Sequence, residues 1–538
     1  MADAVNDSSP ARETWQRAAE ATGAQLITLL LVLADLDEHR ERLNGRDRGL
    51  AHVPEPDWTE VEARARAFEP WEGQHAVLDT SAAPVDVLAA ALAALDPGAP
   101  PGSDTMAAME TSPHPARARV AEIAGRVLDN WAFRILALAS VGVGAFLLLY
   151  GVPGLEEFWM AKRGANVYRT DLDVYRLGGQ VLLQGGDLYG RLPDIELGAN
   201  LPFTYPPIAA ILFAPLALMP LKVASALFTV VSIVAFAVAV WVVSKEASGL
   251  TGSRAAWFAV ALTGATMWIG PMRETIWFGQ INNVLMALVV IDLIALRGRK
   301  WQGCLVGLAL AIKLTPAVFL AYFLVRKQWR AMLVGIASAL VYTAIGFAVT
   351  WRDSVTYWTE TIVSTDRIGN LAYLANQSIN GLVRRLILDD TTASIVWFAS
   401  CAVLGLSLLW LMWRLSAMGL ETAAIVTMGL YSLLASPVSW SHHWVWCVPA
   451  ILVLAFLWRT EPAPVAWIGG AVAALGVWVF YSRIIWEQPI VDDGVVQWTP
   501  WQQVLGNAQT LWALLALATL FLAACWPRLR PDPEVAAG

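Results

Sequence analysis

Charged side chains are scarce in this 538-residue chain: Asp, Glu, Lys and Arg make up 15% of the sequence. A soluble globular protein carries roughly 25%. This shortage of charged residues begins near residue 130, and the earlier part of the chain has an ordinary share of them. Composition therefore divides the chain into a soluble first fifth and an apolar remainder typical of a membrane protein. The net charge of −7 is modest, and it gives no reason to expect a nucleic-acid partner.

Cysteine and histidine are also few, with four and six residues. Each cysteine lies in an apolar run and no two have a spacing typical of metal ligands, so we interpret them as small buried side chains. The adjacent His442 and His443 have no third ligand nearby in sequence, and neighbouring side chains point in different directions. The sequence therefore predicts no metal site and no cofactor. No basic segment precedes the short apolar stretch 26–33, so we expect no secretory signal peptide.

Apolar length is what the sequence has in abundance. A helix needs about 20 predominantly apolar residues to cross a bilayer. We predict about 12 spans, counting 302–325 as a helical hairpin that enters and returns because basic loops flank it on both sides. The stretch 205–219 is too short to cross and begins beside two prolines, which favours a helix at the membrane interface. The predicted spans are 131–151, 223–243, 255–270, 281–296, 302–325, 331–350, 393–413, 420–436, 445–458, 464–482 and 508–526.

Basic loops orient these spans. The segments 297–300 and 326–330 are rich in Lys and Arg, which marks the cytoplasmic side of a membrane protein. Counting from these anchors puts residues 1–128 and the tail 528–538 in the cytoplasm, and the loop 152–222 outside. The many tryptophans at the ends of apolar runs fit an interfacial aromatic belt, and membrane lipids are the expected surroundings of residues 129–527.

The first 128 residues predict a small helical region with no catalytic signature. Helical periodicity favours helices over 15–43, 58–68 and 84–95. A segment rich in Pro, Gly and Ser follows at 97–115, which is typical of a linker. We interpret this region as a docking or regulatory appendage of an otherwise all-α polytopic membrane protein.

Polar clusters from distant parts of the sequence all fall on the outer side of this topology. Any one of them has a structural explanation, such as a helix break at a proline or a hydrogen bond between helices. Their coincidence on one face favours a site. Lys313 gives the strongest indication of a functional site. A charge within an apolar segment is energetically costly, and such a residue either has a function or reaches the membrane interface. The clusters are 170–176, 185–189, 203–207, 273–275, 279–283, 313–316, 376–380 and 436–444.

These motifs resemble glycosyltransferase family 87. The matching residues are Asp171 with Tyr175, 186–189, 203–207, Gln280 with Asn282, 313–316 and 376–378. The run 436–444, which reads Ser-Pro-Val-Ser-Trp-Ser-His-His-Trp, is similar to actinobacterial α-1,2-mannosyltransferases that act on phosphatidylinositol mannosides or lipomannan. The resemblance covers residues 131–526. It implies the multi-spanning GT-C architecture, a polyprenyl-phosphate mannose donor and a glycolipid acceptor.

The resemblance also implies roles for particular residues. Asp171 matches the acidic residue of the first outer loop that serves as general base in an inverting transfer. Asp173 is the reserve candidate, with acceptor binding or plain solvation as its other readings. Cationic or imidazole groups would hold the departing phosphate, and amides would hold the sugar. The candidates for substrate binding are Lys313, His442, His443 and Arg273 for the phosphate, Gln280, Asn282, Asn376 and Gln377 for the sugar, and Tyr205 from its motif.

Two other functions stay open at this point. One is an arabinofuranosyltransferase of the same architecture with a decaprenyl-phosphate donor, and the Ser-His-His-Trp run is the reason to prefer mannose. The other is a transporter of lipid-linked sugars. Transporters of this size often contain paired repeats with helices broken at matching positions, and the sequence has no such repeat.

Overall fold

Helices form almost all of the regular structure in the described part of the computed structural model. The described residues are 9–22, 28–32, 58–59, 61, 75–80, 87, 91, 124–150, 169–364, 369–387, 389–459, 463–489 and 498–529. The chain divides into two compact units, 1–123 and 124–538. In chain order the α-helices are α1 (Ser9–Thr22), α2 (Trp131–Tyr150), α3 (Thr170–Leu183), α4 (Pro207–Ala217), α5 (Leu221–Ser248), α6 (Gly252–Thr266), α7 (Gly270–Phe278), α8 (Asn282–Val290), α9 (Cys304–Ile312), α10 (Leu320–Val325), α11 (Trp329–Val349), α12 (Trp351–Thr359), α13 (Ile379–Leu386), α14 (Asp390–Ala417), α15 (Glu421–Ala435), α16 (Cys447–Phe456), α17 (Ala463–Tyr481), α18 (Pro500–Gly506) and α19 (Ala508–Leu529).

The first unit is not purely helical, which corrects the sequence-based prediction. The strands β1 (Leu29–Val32) and β2 (Ala76–Asp79) pair in parallel. Strand β1 lies within the helix predicted over 15–43, whereas β2 lies between two predicted helices. A short continuous apolar run cannot be assigned to helix or strand from periodicity alone, and here a distant partner strand decides. The helices expected at 58–68 and 84–95 and the linker at 97–115 lie largely or wholly outside the described residues.

Among the described residues of the second unit, six helices are long and apolar enough to cross a membrane. They are α2, α5, α11, α14, α17 and α19. The pair α6 and α7 makes a seventh if it is one span, since it bends by 79° at a short break. Five further apolar helices are shorter, so the predicted count of about 12 is not established. The short helix α4 begins at Pro207, within the stretch predicted to be too short to cross, and its 11 residues span only about 16 Å.

The segment 302–325 is a helical hairpin, as predicted. Helix α9 leads away from its start, a 3-10 turn (Thr315–Phe319) follows, and α10 returns. The two ends of the hairpin meet where the Gln302 amide donates to the Gln328 side chain, at 3.4 Å. Helix α9 lies tightly against α11, because a Cβ on Gly307 would come within 2.3 Å of the Gly335 carbonyl. Glycine at such a crossing allows the two backbones to approach closely.

The core lies where the central helices meet. Helix α5 packs on α8, α15 on α14, α16 on α17, and α17 on α19. Several short elements end together around this core: the start of α3, the turn after α7, the hairpin turn after α9, and the 3-10 helix Ser441–Trp446 before α16. These ends carry the polar motifs, because a helix that stops leaves its terminal backbone groups and the adjacent loop open to polar partners.

Candidate active site

A cavity of ≈ 490 Å³ gathers the polar motifs of the second unit. Seven of the eleven predicted site residues line it: Asp171, Tyr205, Gln280, Asn282, Lys313, His442 and His443. Apolar side chains continue the cavity wall one or two turns further along the same elements, as Leu285, Met286 and Val289 do after Asn282 on α8. The cavity is therefore polar where the helices end and apolar where they continue.

Asp171 is the only carboxylate among the described residues that line the cavity. It lies in the first turn of α3, and Arg169, the residue just before that helix, holds the turn in place. The Arg169 guanidinium donates to the carbonyl of Leu148 at 2.9 Å, and to those of Trp277 at 3.3 Å and Ile276. These bonds tie the start of α3 to the ends of α2 and α7. The backbone that carries the Asp171 carboxylate is therefore held in a fixed position.

Gln280 positions the Asp171 carboxylate from the other side. Its amide N–H donates to the carboxylate, and its carbonyl oxygen accepts from the hydroxyls of Tyr175, at 2.8 Å, and Tyr205, at 3.2 Å. The turn that delivers Gln280 requires Gly279, which has φ +69° and whose Cβ, if present, would lie 2.7 Å from the Leu172 Cβ. Only glycine adopts this conformation without cost and leaves room for α3.

Burial gives Asp171 an unusual proton affinity. Enclosure by protein raises the pKa of Asp171 to about 6, while the Gln280 amide and the charge of Lys313 act to lower it. A carboxylate in water has a pKa near 3.9. The shifted value brings the group close to neutral pH, where a general base works most effectively.

Lys313 and the two histidines form another part of the cavity lining, which we call the lysine–histidine wall. The Lys313 ammonium donates to the Asn282 side-chain oxygen at 3.2 Å and lies 5.4 Å from the centre of the Tyr205 ring. The Asn282 amide in turn donates to the His442 carbonyl at 3.1 Å. The Nε2 atom of His442 is buried without a hydrogen-bond partner in the described part of the chain. This wall offers a cation and a free imidazole nitrogen to a ligand.

His443 has a fixed orientation. The backbone N–H of Trp440 donates to its Nδ1 at 3.2 Å, and its own backbone N–H donates to the Trp440 carbonyl at 2.7 Å. Because Nδ1 accepts a hydrogen bond, the ring proton of a neutral imidazole must be on Nε2. The turn therefore presents His443 as a neutral donor.

Four predicted residues do not line the cavity. Asp173 is buried and pairs with Arg176 at 3.2 Å, while its other oxygen accepts from the Glu196 backbone N–H at 3.0 Å. Arg273 is buried within α7, away from the cavity wall. Asn376 and Gln377 are fully buried, and their side chains bond neighbouring loops.

Asn376 and Gln377 hold two loops together. The Asn376 side chain donates to the Pro437 carbonyl at 3.2 Å and accepts from the Ser439 backbone N–H at 2.9 Å. The Gln377 backbone N–H donates to the Ser439 carbonyl at 2.8 Å, and its side chain donates to the Gly506 carbonyl at 2.7 Å. The motif thus fastens the segment that carries the histidines.

Three residues at or beside the cavity were absent from the predicted site. Tyr175 follows Asp171 by one helical turn, a spacing that could have indicated a shared face. Glu274 accepts hydrogen bonds from the Ser441 hydroxyl at 2.5 Å and from the Trp486 indole at 3.2 Å. The first of these bonds holds the start of the 3-10 helix Ser441–Trp446, which carries both histidines. The Ser439 hydroxyl lines the cavity and has no partner among the described residues. Glu274 and Ser439 lie within the polar clusters 273–275 and 436–444, but the sequence does not distinguish them from the other residues of those clusters.

The described residues contain no group of three or more His, Cys, Asp or Glu side chains close enough to share a metal ion. The expectation that the enzyme has no metal site stays a prediction from sequence.

Comparison with known proteins decides the family. The sequence model of glycosyltransferase family 87 matches residues 203–437. A polyprenol-phosphate-mannose-dependent alpha-(1-2)-phosphatidylinositol mannoside mannosyltransferase of Mycobacterium tuberculosis is 37% identical over 406 residues, covering 73% of this chain and 93% of the relative. The chain belongs to glycosyltransferase family 87. The family predicted from the motifs is thereby confirmed, and with it the class of enzyme.

Other family-87 relatives agree with this result. The protein with the same description from Mycolicibacterium smegmatis is 38% identical over 413 residues, covering 72% of this chain and 89% of the relative. A Mycobacterium tuberculosis enzyme described as a pentamannoside mannosyltransferase is 34% identical over 322 residues, covering 58% of this chain and 72% of the relative. No solved structure matches this chain.

Proposed function

We propose that this family-87 enzyme transfers mannose from polyprenyl-phosphate mannose to a hydroxyl of a phosphatidylinositol mannoside, forming an α-1,2 linkage with inversion. The observation that carries the proposal is a single cavity lined by one carboxylate, a lysine and two imidazoles, together with apolar side chains that we call its apolar floor. The two relatives with the highest coverage are described by this same activity.

Asp171 is the general base. The acceptor hydroxyl has a pKa far above neutral, so a carboxylate must take its proton as the new bond to the sugar forms. The donor already carries a good leaving group, and no general acid is needed. One base and no protein nucleophile give a direct displacement, which inverts the anomeric centre. A β-linked donor then yields an α-linked product.

The lysine–histidine wall receives the departing phosphate. Lys313 supplies positive charge, while His442 and His443 supply imidazole nitrogens beside it. Preorganised donors that meet charge as it develops are among the strongest contributions to catalysis. The apolar continuation past Leu285 and Met286 suits the prenyl chain, and Gln280, Asn282 and Tyr205 suit the hydroxyls of the sugar.

The site faces outward in this proposal. The basic segments at 297–300 and 326–330 meet in the structure, where the Arg330 guanidinium donates to the carbonyls of Gly298 and Arg299, both at 3.1 Å. Basic loops stay in the cytoplasm, so the cavity is assigned to the outer side and residues 1–128 to the cytoplasm. Both the donor and the acceptor are lipids, so both would reach the cavity from the outer side of the membrane.

Replacement of the base tests the proposal directly. Asp171→Asn keeps the shape of the side chain but cannot accept the proton, so transfer of labelled mannose in detergent should fall by roughly 10²–10⁴-fold. Binding of the donor to the purified variant should persist, because the phosphate and prenyl contacts are untouched.

The matched control is Asp173→Asn, two residues away on the same helix. Its carboxylate bonds Arg176 and the Glu196 backbone rather than the cavity, so the loss of activity should be much smaller. An active Asp171→Asn with an inactive Asp173→Asn would move the base to Asp173. Full activity in both would rule out a one-carboxylate mechanism.

A further inference from the structure

Helix α12 and the 3-10 turn after it (Thr361–Val363) present apolar side chains to the outside of the protein. Trp351 is 67% exposed, Val355 38% and Val363 76%. We call these three side chains the α12 surface. The other face of α12 is anchored, because Asp353 accepts from the Leu188 backbone N–H at 3.0 Å and the Tyr357 ring lies 5.5 Å from that of Tyr189. The helix is therefore fixed to the protein with an apolar face left uncovered.

The location of α12 indicates what covers this face. It begins after a single residue, Thr350, at the end of the span α11. Only 11% of the most apolar stretch of α11 is buried in protein, so this span leaves a face open to lipid besides the face packed on α9. A helix that starts where a lipid-facing span ends lies at the boundary of the bilayer. An apolar face with a tryptophan suits this depth.

The other end of the segment reaches the cavity. Tyr357, Thr361, Ile362 and Ser364 all line it. They adjoin the base through Tyr189, whose ring lies 5.5 Å from that of Tyr357 and whose hydroxyl donates to the Tyr205 carbonyl at 2.7 Å. Tyr205 belongs to the hydrogen-bond network of Asp171, and the Lys313 ammonium lies 5.4 Å from the centre of the same ring. A lipid that passes along α12 therefore arrives beside Asp171, where the acceptor hydroxyl is needed.

We propose that the α12 surface is the access surface for the acceptor: the acyl chains of the glycolipid rest against Trp351, Val355 and Val363 while its headgroup enters beside Asp171. The proposal rests on the proposed function and adds to it the route of one substrate. It predicts that acyl chains contribute to recognition through a surface outside the cavity, distinct from the apolar floor that suits the prenyl chain.

The test compares two acceptors with the full-length enzyme in lipid nanodiscs. One is a phosphatidylinositol mannoside with its acyl chains, and the other is the same headgroup after deacylation. The double variant Val355→Asp, Val363→Asp places charges where the acyl chains would rest. Because acyl chains would have to cover the two new charges, kcat/KM for the acylated acceptor should fall by about tenfold or more, with the deacylated acceptor unaffected.

Leu197→Asp is the matched control, since Leu197 is an exposed apolar residue in the loop after α3 that does not line the cavity. It should leave both acceptors unchanged. Equal loss on both acceptors, no loss on either, or a change confined to the KM of the donor would each overturn the proposal. A wild-type enzyme that mannosylates neither acceptor would instead overturn the proposed function.

Discussion

Asp171 and Gln280 act as a unit at the residue scale, although 109 positions separate them. The carboxylate is enclosed enough to hold a proton at mildly acidic pH, and the amide N–H stabilises its ionised form. Their geometry makes the ionisation of the base measurable in the pH dependence of the reaction.

The rate of transfer should fall as pH decreases through about 6, because protonation of Asp171 removes the base. Above pH 7 the same group is ionised and contributes no further change. Replacing Gln280 by Leu removes the N–H that favours the anion, so the pKa of Asp171 should rise and the midpoint should move to higher pH. Profiles of kcat/KM against pH measure both effects.

Tyr175→Phe is the control for this shift, because Tyr175 bonds the carbonyl of Gln280 and leaves the contact to Asp171 intact. Its midpoint should move less than that of Gln280→Leu. A midpoint that is the same in all three proteins would contradict Asp171 as the titrating base.

His443 should act as a neutral donor rather than as a cation. The Trp440 N–H occupies its Nδ1, so a second proton there would face another donor. His443→Gln can restore a donor and should retain most activity, whereas His443→Ala should lose about 100-fold. His443→Lys should be no better than Ala, because it adds a charge close to Lys313. Mannose transfer and binding of polyprenyl phosphate are the two measurements; an active Lys variant beside an inactive Gln variant would refute the neutral role.

At the scale of elements, the site depends on where helices stop. The break between α6 and α7, the turn after α7 and the turn of the 302–325 hairpin bring Gln280 and Lys313 to the cavity. The sequence predicted the hairpin correctly, because basic loops at both of its ends require the chain to return. It placed a helix at 29–32 wrongly, because pairing with a strand some 45 residues away overrides local preference.

Gly279→Ala should damage both the fold and the site. Its φ of +69° is unfavourable for alanine by about 1–2 kcal/mol, and the new Cβ would also push against Leu172 on α3. We expect a lower melting temperature in detergent, and a loss of transfer because Gln280 moves away from Asp171. Gly142→Ala on α2 is the control: a Cβ there meets nothing within 4 Å, so stability and activity should be retained. Wild-type stability of Gly279→Ala would contradict this account of the turn.

At the scale of the whole molecule, the proposed function requires both lipid substrates to reach the cavity from the outer side of the membrane. Intact cells carrying a variant without native cysteines provide the test, with single cysteines added at the exposed positions Leu197 and Lys300. An impermeant maleimide should label Leu197→Cys in intact cells and Lys300→Cys only after the membrane is opened. The reverse pattern would overturn the orientation. Removal of the native cysteines matters because Cys304 lies close to position 300.

The amino-acid sequence by itself determined the class of molecule and the family. Apolar length, basic loops and short motifs are local properties, and each depends on residues adjacent in the chain. The same motifs identified seven residues that the structure brings into one cavity. The motifs also predicted that Asn376 and Gln377 contact the sugar, whereas in the structure both side chains bond neighbouring loops. The sequence of a motif does not show whether an amide contacts a substrate or another part of the chain.

The tertiary structure supplied the physical difference between Asp171 and Asp173. The motif had ranked Asp171 first and Asp173 as the reserve, but both lie in one helical turn, and the sequence does not show what each carboxylate contacts. Folding turns one toward Gln280 in the cavity and pairs the other with Arg176 and the Glu196 backbone. The difference arises from partners brought together by packing, and hydrogen bonds over such separations are fixed by the arrangement of helices rather than by any local pattern.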